Sequence, residues 1–218
     1  MTHQYENAAE WFIRMCSTNN WSHSLYTYIA GVCYAELSHR QPNSPELAKK
    51  ATSLLESVPG LLHQRKSFGG RRIPFEQYVD RKINRFKARA GNGRIIDGIS
   101  GPVTEEIIYL LCNGHKRMTI QELEKSRESL EIWGRIAYGE EEKIAMGFMN
   151  GVIDRNAGRL DEARKKIEKV VIAEGLSQRV PLGSNDWISG FAYYEVCLLW
   201  KHVLMADGSD KLVARSIY

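Results

Sequence analysis

Residues 147–175 read GFMNGVIDRNAGRLDEARKKIEKVVIAEG and contain the clearest structural unit of this sequence. Gly151 lies where a first helix must approach its partner, and Gly158 lies where a turn is expected. Ala163 and Ile167 then continue an apolar stripe at helical spacing. Because small residues between larger apolar ones let two helices pack closely, the segment is predicted to be a helical hairpin.

The apolar stripe of this unit occurs more than once in the chain. Its pattern, Ala-x3-[Leu/Ile]-x2-Val, is found at residues 163–170 and 51–58, and residues 8–15 repeat the spacing with Met in the last place. Aromatic-rich segments that begin at Trp21 and Trp187 correspond at a constant offset of 166 residues. Repetition of this kind is typical of stacked helical hairpins. The sequence therefore predicts an all-α fold in which antiparallel hairpins stack as an α-solenoid.

The best unit resembles the tetratricopeptide repeat, a helix–turn–helix of about 34 residues. The positions that carry the resemblance are Gly151, Gly158, Leu160, Ala163 and Ile167. Gly147, Asp154 and Gly175 depart from it, since the repeat usually has Trp, Tyr and Pro at these places. Such a unit implies either a peptide-binding surface or a hairpin that only stacks on its neighbours, and the sequence leaves both interpretations open.

The chain is predicted to form one helical-repeat block over residues 1–218. Residues 1–60 and 140–218 are its repeat-like parts, and residues 61–139 form intervening helices. Flexible loops are predicted near residues 61–72 and 91–101, which are rich in glycine. Because the first and last predicted helices each lack a hairpin partner, we expect the block to be a fragment of a longer solenoid.

Proline residues indicate where two of the helices begin. Ser44 is an expected cap with Pro45 at the first turn, and this helix is predicted to end near Pro59 and Gly60. A second helix is predicted to begin at Pro74 and to reach about Arg89. The four glycines in residues 91–101 then predict a flexible loop or the remnant of a shortened insertion.

Composition fits a helical protein of the cytosol or nucleus, or of an organelle periphery. The 30 basic and 26 acidic residues give a net charge of only +4, which does not favour general nucleic-acid binding. The four cysteines are far apart in apolar contexts and are expected to be buried free thiols. No signal peptide is visible, and no apolar run approaches the roughly 18 residues of a membrane span.

The sequence does not predict an enzyme. The six histidines show no metal-ligand spacing, and no glycine-rich phosphate-binding motif follows an apolar strand. The acidic run at residues 140–142 is explained by a helix start, where carboxylates favour the positive end of the helix dipole. No catalytic, metal or cofactor site is therefore predicted.

Longer motifs resemble the tetratricopeptide repeat protein 39 family, whose fungal branch is the inclusion body clearance proteins. They are WSxSLYxY followed by AGVCY in residues 21–34, IPFEQYVxRKxxRF in residues 73–86, GVxxRNxGRxxEA in residues 151–163, and FAxYE in residues 191–195. The resemblance implies a non-enzymatic adaptor that acts through protein–protein contacts. It further implies a role in clearing cytosolic protein inclusions, an association with lipid droplets and lipid metabolism, and a place in the cytoplasm and nucleus.

A protein partner would meet the first helices of three hairpins. Equivalent positions on these helices are candidate partner-binding residues, and they are Tyr28, Val32, Phe148, Val152, Tyr194 and Leu198. Their aromatic and aliphatic side chains do not suit acidic chaperone tails, which need cations. An apolar ligand and simple packing between neighbouring helices are the two interpretations that remain.

A basic segment is the alternative candidate surface. Residues 63–94 contain ten Lys and Arg against two acidic residues. The candidate residues for an anionic surface are Arg65, Lys66, Arg71, Arg72, Arg81, Arg85 and Arg89. The last three follow i, i+4, i+8 spacing and line one helix face, which we name the basic stripe. The stripe would contact anionic lipid headgroups, such as those of a membrane or lipid droplet, or another acidic surface. The alternative interpretation is that the basic stripe is only a solvated helix face that binds no partner.

Overall fold

The computed structural model describes residues 3–19, 21–64, 73–136, 139–176 and 186–206. Their regular secondary structure is entirely helical, and no strand occurs in these ranges. The α-helices described are α1 (Tyr5–Thr18), α2 (His23–Arg40), α3 (Pro45–Gln64), α4 (Pro74–Ala90), α5 (Val103–Cys112), α6 (Ile120–Gly134), α7 (Glu140–Asn156), α8 (Leu160–Leu176) and α9 (Trp187–Ala206). None of them combines the length and apolar character that crossing a membrane requires. The prediction of an all-α fold built from tetratricopeptide-like hairpins is confirmed.

The chain divides into two compact units, Met1–Gly114 and His115–Tyr218. The division falls inside the segment that the sequence suggested was intervening, residues 61–139. In the first unit α2 is central, because α1, α3, α4 and α5 all contact it and every residue from 24 to 36 is buried. In the second unit α7 has this role and contacts α6, α8 and α9.

The two clearest hairpins, α2–α3 and α7–α8, are held by close contact at a glycine. A Cβ atom at Gly31 would lie 2.8 Å from Cγ of Leu55, and a Cβ atom at Gly151 would lie 2.5 Å from Cδ1 of Ile167. Gly158 forms the α7–α8 turn with a φ of +79°, a conformation that favours glycine. These contacts confirm the predicted roles of Gly151 and Gly158.

The repeated apolar stripes lie on the second helix of each hairpin, α3 or α8, and pack against the first helix. All six of their residues are buried: Ala51, Leu55, Val58, Ala163, Ile167 and Val170. The related residues of α1, Ala8, Phe12 and Met15, are only partly buried. The spacing therefore correctly identified the core of two hairpins.

Buried polar side chains tie α2, α4 and α5 together in the first unit. The hydroxyl of Thr104 donates to Glu36 at 3.1 Å, and the hydroxyl of Tyr78 donates to Glu106 at 2.9 Å. The ammonium of Lys82 lies 2.6 Å from the same Glu106 carboxylate. Because a buried carboxylate is costly unless it is paired, these contacts both satisfy the acids and fix the position of α5.

The predicted end of α3 is wrong. Pro59 lies inside the helix, which continues to Gln64. A proline inside a helix removes one backbone hydrogen bond. Leu55, Val58 and Leu62 are nevertheless all buried at helical spacing, so the packing of the stripe continues past the proline.

The glycine-rich segment at residues 91–101 is also more ordered than predicted. It contains a 3₁₀ helix, Ile95–Gly98, that packs against α3 and α4 and buries Ile95, Ile96 and Ile99. Gly98 faces the backbone of α4 so closely that a Cβ atom would overlap the carbonyl oxygen of Phe86. The glycine is therefore required by close approach of two backbones.

The sequence predicted that all four cysteine thiols are buried, but the structure buries only some of them. Cys33 is buried, and this burial raises the pKa of its thiol to about 12. Cys16 is partly buried, whereas Cys112 and Cys197 are exposed. The expectation is wrong for these two because Cys112 is the last residue of α5 and Cys197 lies on the outward face of α9.

Two glycine substitutions test the backbone contact at Gly98. Gly98→Ala should lower the free energy of unfolding by about 1–3 kcal/mol, the usual cost of overpacking, because the α4 backbone cannot yield as a side chain can. Gly60→Ala is the control, because nothing lies within 4 Å of a Cβ atom there. It should raise stability by about 0.4–1 kcal/mol. Urea unfolding measures both, and equal effects would contradict the contact.

Candidate protein-interaction site

Four of the six candidate partner-binding residues lie in the core. Tyr28, Phe148 and Val152 have no exposed surface, and Val32 is 2% exposed. These four residues therefore pack between neighbouring helices. A partner cannot reach them in this structure. The helical periodicity of the sequence correctly identified the apolar face of each helix. It could not identify which neighbouring helices cover that face.

Other aromatic side chains cover Tyr28 and Phe148. The ring of Tyr28 stacks with Phe86 at 6.4 Å between centroids and meets Tyr78 edge-on at 6.1 Å. Phe148 meets Trp187 of α9 edge-on at 5.6 Å. Burial raises the pKa of Tyr28 well above its ordinary value, and the Glu106 charge adds to this effect.

The remaining two candidates, Tyr194 and Leu198, are on α9 and are reachable. Tyr194 is 47% exposed and Leu198 is partly exposed. The outward face of α9 exposes four of the nine large apolar side chains that are exposed among the described residues: Phe191, Tyr193, Tyr194 and Trp200. Single exposed apolar residues are ordinary, but several on the exposed side of one helix indicate an interaction surface. We name the exposed side of residues 190–201 the α9 surface.

The opposite face of α9 is anchored in the second unit. Ile188, Ala192, Glu195 and Leu199 are all buried at helical spacing. Glu195 forms a bidentate ion pair with Arg155 of α7, in which Nη2 of the arginine is 3.1 Å from Oε1 of the glutamate. A bidentate pair fixes orientation as well as distance, so the α9 surface is held on a rigid support.

Asp154, which departs from the repeat pattern, joins three helices of the second unit. Its carboxylate accepts hydrogen bonds from Arg127 of α6 at 2.6 Å and from Arg159 at 2.9 Å. Lys166 of α8 donates to its other oxygen. The Asp154 side chain is only 2% exposed, so a charge at this position must be neutralised by such contacts.

These cations also set the protonation of Asp154. Burial acts to raise the pKa of its carboxyl group, but the hydrogen bonds from Lys166, Arg159 and Arg127 outweigh this effect and lower it. Asp154 is therefore ionised throughout the physiological range. The sequence pattern identified Asp154 only as a departure from the repeat. An acidic residue at a core position of α7 was the feature that could have indicated a buried ionic contact.

The basic stripe is only partly exposed. Arg81 is exposed, while Arg85 and Arg89 are partly buried and have polar contacts of their own. Lys82, which the sequence counted among the basic residues of this segment, is buried against Glu106. The other candidates, Arg65, Lys66, Arg71 and Arg72, lie outside the described residues. The basic stripe therefore remains a prediction, and fewer of its basic side chains are fully exposed than the sequence indicates.

Among the residues with a described placement, no group of three or more His, Cys, Asp and Glu side chains is arranged to hold a metal ion. Two of the buried carboxylates of the second unit, Asp154 and Glu195, are instead engaged by arginine and lysine. Their arrangement supports helix packing.

Replacement of Asp154 tests this ionic junction. Asp154→Asn should lower the free energy of unfolding by about 1.5–3 kcal/mol at neutral pH, the range for charged hydrogen bonds. Arg159 and Lys166 are 36% and 38% exposed, which favours the lower part of that range. Glu168→Gln, in an exposed pair with Arg164, is the control and should cost less than about 1 kcal/mol.

The same variant has a defined pH dependence. A carboxyl group with a lowered pKa stabilises the fold fully above its ordinary pKa of about 4, and this contribution is lost as pH falls through the lowered value. The difference between parent and Asp154→Asn should therefore be constant near neutrality and shrink in acid. Thermal unfolding at several pH values measures it, and a difference that grows in acid would contradict the assignment.

Comparisons with known proteins agree with this architecture. A family profile described as Iml2/Tetratricopeptide repeat protein 39 matches residues 1–157. The chain is 32% identical over 214 residues to the inclusion body clearance protein iml2 of Aspergillus niger, covering 91% of this chain and 30% of that protein. It is 30% identical over 218 residues to the protein of that name in Vanderwaltozyma polyspora, with coverage of 91% and 30%. No solved structure gives a significant match.

A further relative is an IML2-like protein of Saccharomyces cerevisiae, 27% identical over 230 residues that cover 96% of this chain and 31% of that protein. The chain thus spans about 30% of the length of the curated relatives that it matches. Because the profile covers well over half of the chain, it confirms the resemblance that the motifs indicated. The chain belongs to the Iml2/Tetratricopeptide repeat protein 39 family.

Proposed function

We propose that this chain is a non-catalytic adaptor that binds a protein partner through the α9 surface. The observation that carries the proposal is the exposure of Phe191, Tyr193, Tyr194 and Trp200 around the outer half of α9, whose inner side is anchored through Arg155. Aromatic residues are enriched in protein interfaces and supply much of their binding energy. A rigid support lowers the entropy lost on binding.

The charge distribution on α9 supports a protein partner rather than a polar ligand. Between Trp187 and Trp200 the helix has one ionisable acid, Glu195, which is buried. Arg164 of α8 lies over the ring of Trp200 at 4.8 Å and also pairs with Glu168 at 2.7 Å. The α9 surface thus has an apolar centre with charged residues at its edge, the usual organisation of a protein interface.

The relatives suggest the process in which the adaptor acts. Curated relatives are named inclusion body clearance proteins, and we extend that role to this chain as part of the proposal. An adaptor of this kind would act in the cytoplasm, with the nucleus and the lipid-droplet surface as further locations that the family resemblance implies. The relatives are about three times longer than this chain, so the clearance role extended here is that of a longer protein.

The basic stripe supports a second candidate function, binding to an anionic surface. Arg81 is exposed on α4, and Arg85 and Arg89 follow it on the same helix face with part of their surface exposed. Basic residues near an anionic bilayer contribute about 1 kcal/mol each, so three would give weak, salt-sensitive binding. The basic stripe is on a helix of the other unit and can be tested independently.

Substitutions on α9 test the adaptor proposal. The parent chain and a Tyr193→Ser, Tyr194→Ser variant serve as baits in an extract of the cells from which the gene comes, with copurified proteins quantified. Capture of a specific partner should decrease about 30-fold or more, because an aromatic hot spot contributes at least about 2 kcal/mol to binding. Trp11→Ser, which alters a side chain that is 64% exposed on α1, is the control. Equal capture by all three baits would contradict the proposal.

Charge reversal tests the basic stripe. The triple variant Arg81→Glu, Arg85→Glu, Arg89→Glu should lose cosedimentation with phosphatidylserine vesicles, whereas the parent should bind them more weakly as salt shortens the screening length to about 8 Å. Circular dichroism checks that the variant stays helical. If parent and variant sediment equally, the stripe is a solvated face.

A further inference from the structure

The segment between α2 and α3 contains a serine that stands directly before a proline. Residues 41–44, with the sequence Gln-Pro-Asn-Ser, connect the two helices, and Ser44 precedes Pro45, the first residue of α3. Ser44 is the one Ser or Thr in the sequence that a proline follows. Residues 41–43 and Pro45 are exposed, and Ser44 is partly exposed. The serine and the prolines on either side of it are therefore accessible from solution.

The hydroxyl of Ser44 makes no hydrogen bond within the part of the chain that the structure describes. The sequence predicts this hydroxyl as the cap of α3, a role that Ser22 has in α2 and Thr119 has in α6, where each side chain accepts from a first-turn N–H. In α3 the corresponding N–H, that of Leu47, donates instead to the backbone carbonyl of Ser44 at 3.2 Å. The prediction of a side-chain cap is therefore wrong, and the hydroxyl is free to react.

Two prolines favour an extended backbone at this serine, the form in which protein kinases bind their substrates. Pro45 disfavours a helical conformation at the preceding Ser44 and has no backbone N–H that would need a partner. Pro42 fixes the backbone two residues earlier. Residues 42–45 reach only the first residue of α3, so their entry into a kinase cleft requires no more than fraying of one helix end. A proline directly after the serine is also the feature by which proline-directed protein kinases select their substrates.

A cation lies close to the position that a phosphate on Ser44 would take. Lys49, one turn after Pro45, lines an open groove of about 450 Å³ together with that proline and Arg94. Arg94 is already paired with an aspartate of its own segment at 2.8 Å, whereas Lys49 has no ion pair within the described ranges. Glu46, exposed in the first turn of α3, would repel the phosphate. Lys49 and the first-turn N–H groups of α3, which lack intrahelical partners, would attract it.

We propose that Ser44 is a phosphorylation site for a proline-directed protein kinase, and that Lys49 and the N-terminus of α3 hold the phosphate. In this reaction Oγ of Ser44 attacks the γ-phosphorus of ATP, the bond from that phosphorus to the β–γ bridging oxygen breaks, and ADP leaves. The hydroxyl proton passes to the catalytic aspartate of the kinase. The phosphate carries a charge of about −1.5 to −2 at pH 7 and stabilises α3, because anions favour the positive end of a helix dipole. This site is in the first unit and does not depend on the adaptor function.

Phosphorylation of the folded chain tests the first part of the proposal. The parent, Ser44→Ala and Pro45→Ala are incubated with a purified proline-directed kinase and magnesium ATP, and mass spectrometry quantifies phosphate at each Ser and Thr. The parent should be modified at Ser44, and both variants should lose this modification, Pro45→Ala because the serine remains but the following proline does not. Circular dichroism checks that the variants stay helical.

Two results of this experiment would overturn the assignment. A folded parent that stays unmodified, whether or not a peptide of residues 38–48 is modified, shows that the fold does not present Ser44 to the kinase. Equal phosphorylation of the parent and Pro45→Ala shows that the proline has no part in recognition.

Thermal unfolding tests how the phosphate is held. The phosphorylated parent should unfold about 1–4 °C above the unmodified parent, the shift expected for a charge at a helix end. Lys49→Gln should reduce this difference. Lys50→Gln is the matched control and should leave it unchanged, because the Lys50 ammonium lies over the ring of Tyr34, 5.1 Å from its centroid. No difference on phosphorylation, or an equal effect of the two lysine variants, would overturn the role of Lys49 and α3.

The cells from which the gene comes supply the last measurement. The chain isolated from them with phosphatases inhibited should carry phosphate on Ser44, and an inhibitor of proline-directed kinases should remove it. A chain without phosphate at Ser44 under these conditions would contradict use of the site by the cell.

Discussion

The close contact between the two helices of a hairpin is the constraint on which the rest of the structure depends. Gly31 admits Leu55, and Gly151 admits Ile167, at distances that no larger residue would allow without a shift. This approach buries the apolar stripes of α3 and α8 and makes α2 and α7 the centres of their units.

Buried charges then fix helices that apolar packing alone would leave free to shift. Asp154 draws together cations of α6, α8 and the turn between α7 and α8, and Glu195 ties α9 to α7 through Arg155. Apolar contacts are non-directional, whereas these pairs demand a particular geometry. The Arg155–Glu195 pair therefore positions α9, and with it the surface that we assign to partner binding.

The carboxylates of Asp154 and Glu195 serve helix packing in the second unit. Membership of the Iml2/Tetratricopeptide repeat protein 39 family is consistent with a surface that recognises other proteins.

Helical periodicity and small residues in the sequence alone determined the all-α class, the hairpin at residues 147–175 and the buried stripes, because these depend on spacing along one helix. The sequence motifs also indicated the family to which the chain belongs. Only the tertiary structure decided that α3 continues through Pro59, that residues 95–98 pack on α4, and that Asp154 is an ionic junction. It also decided that Tyr28 is core while the equivalent Tyr194 is exposed. The reason is physical: a repeat pattern specifies which face of a helix is apolar, but burial depends on neighbours that are distant in sequence.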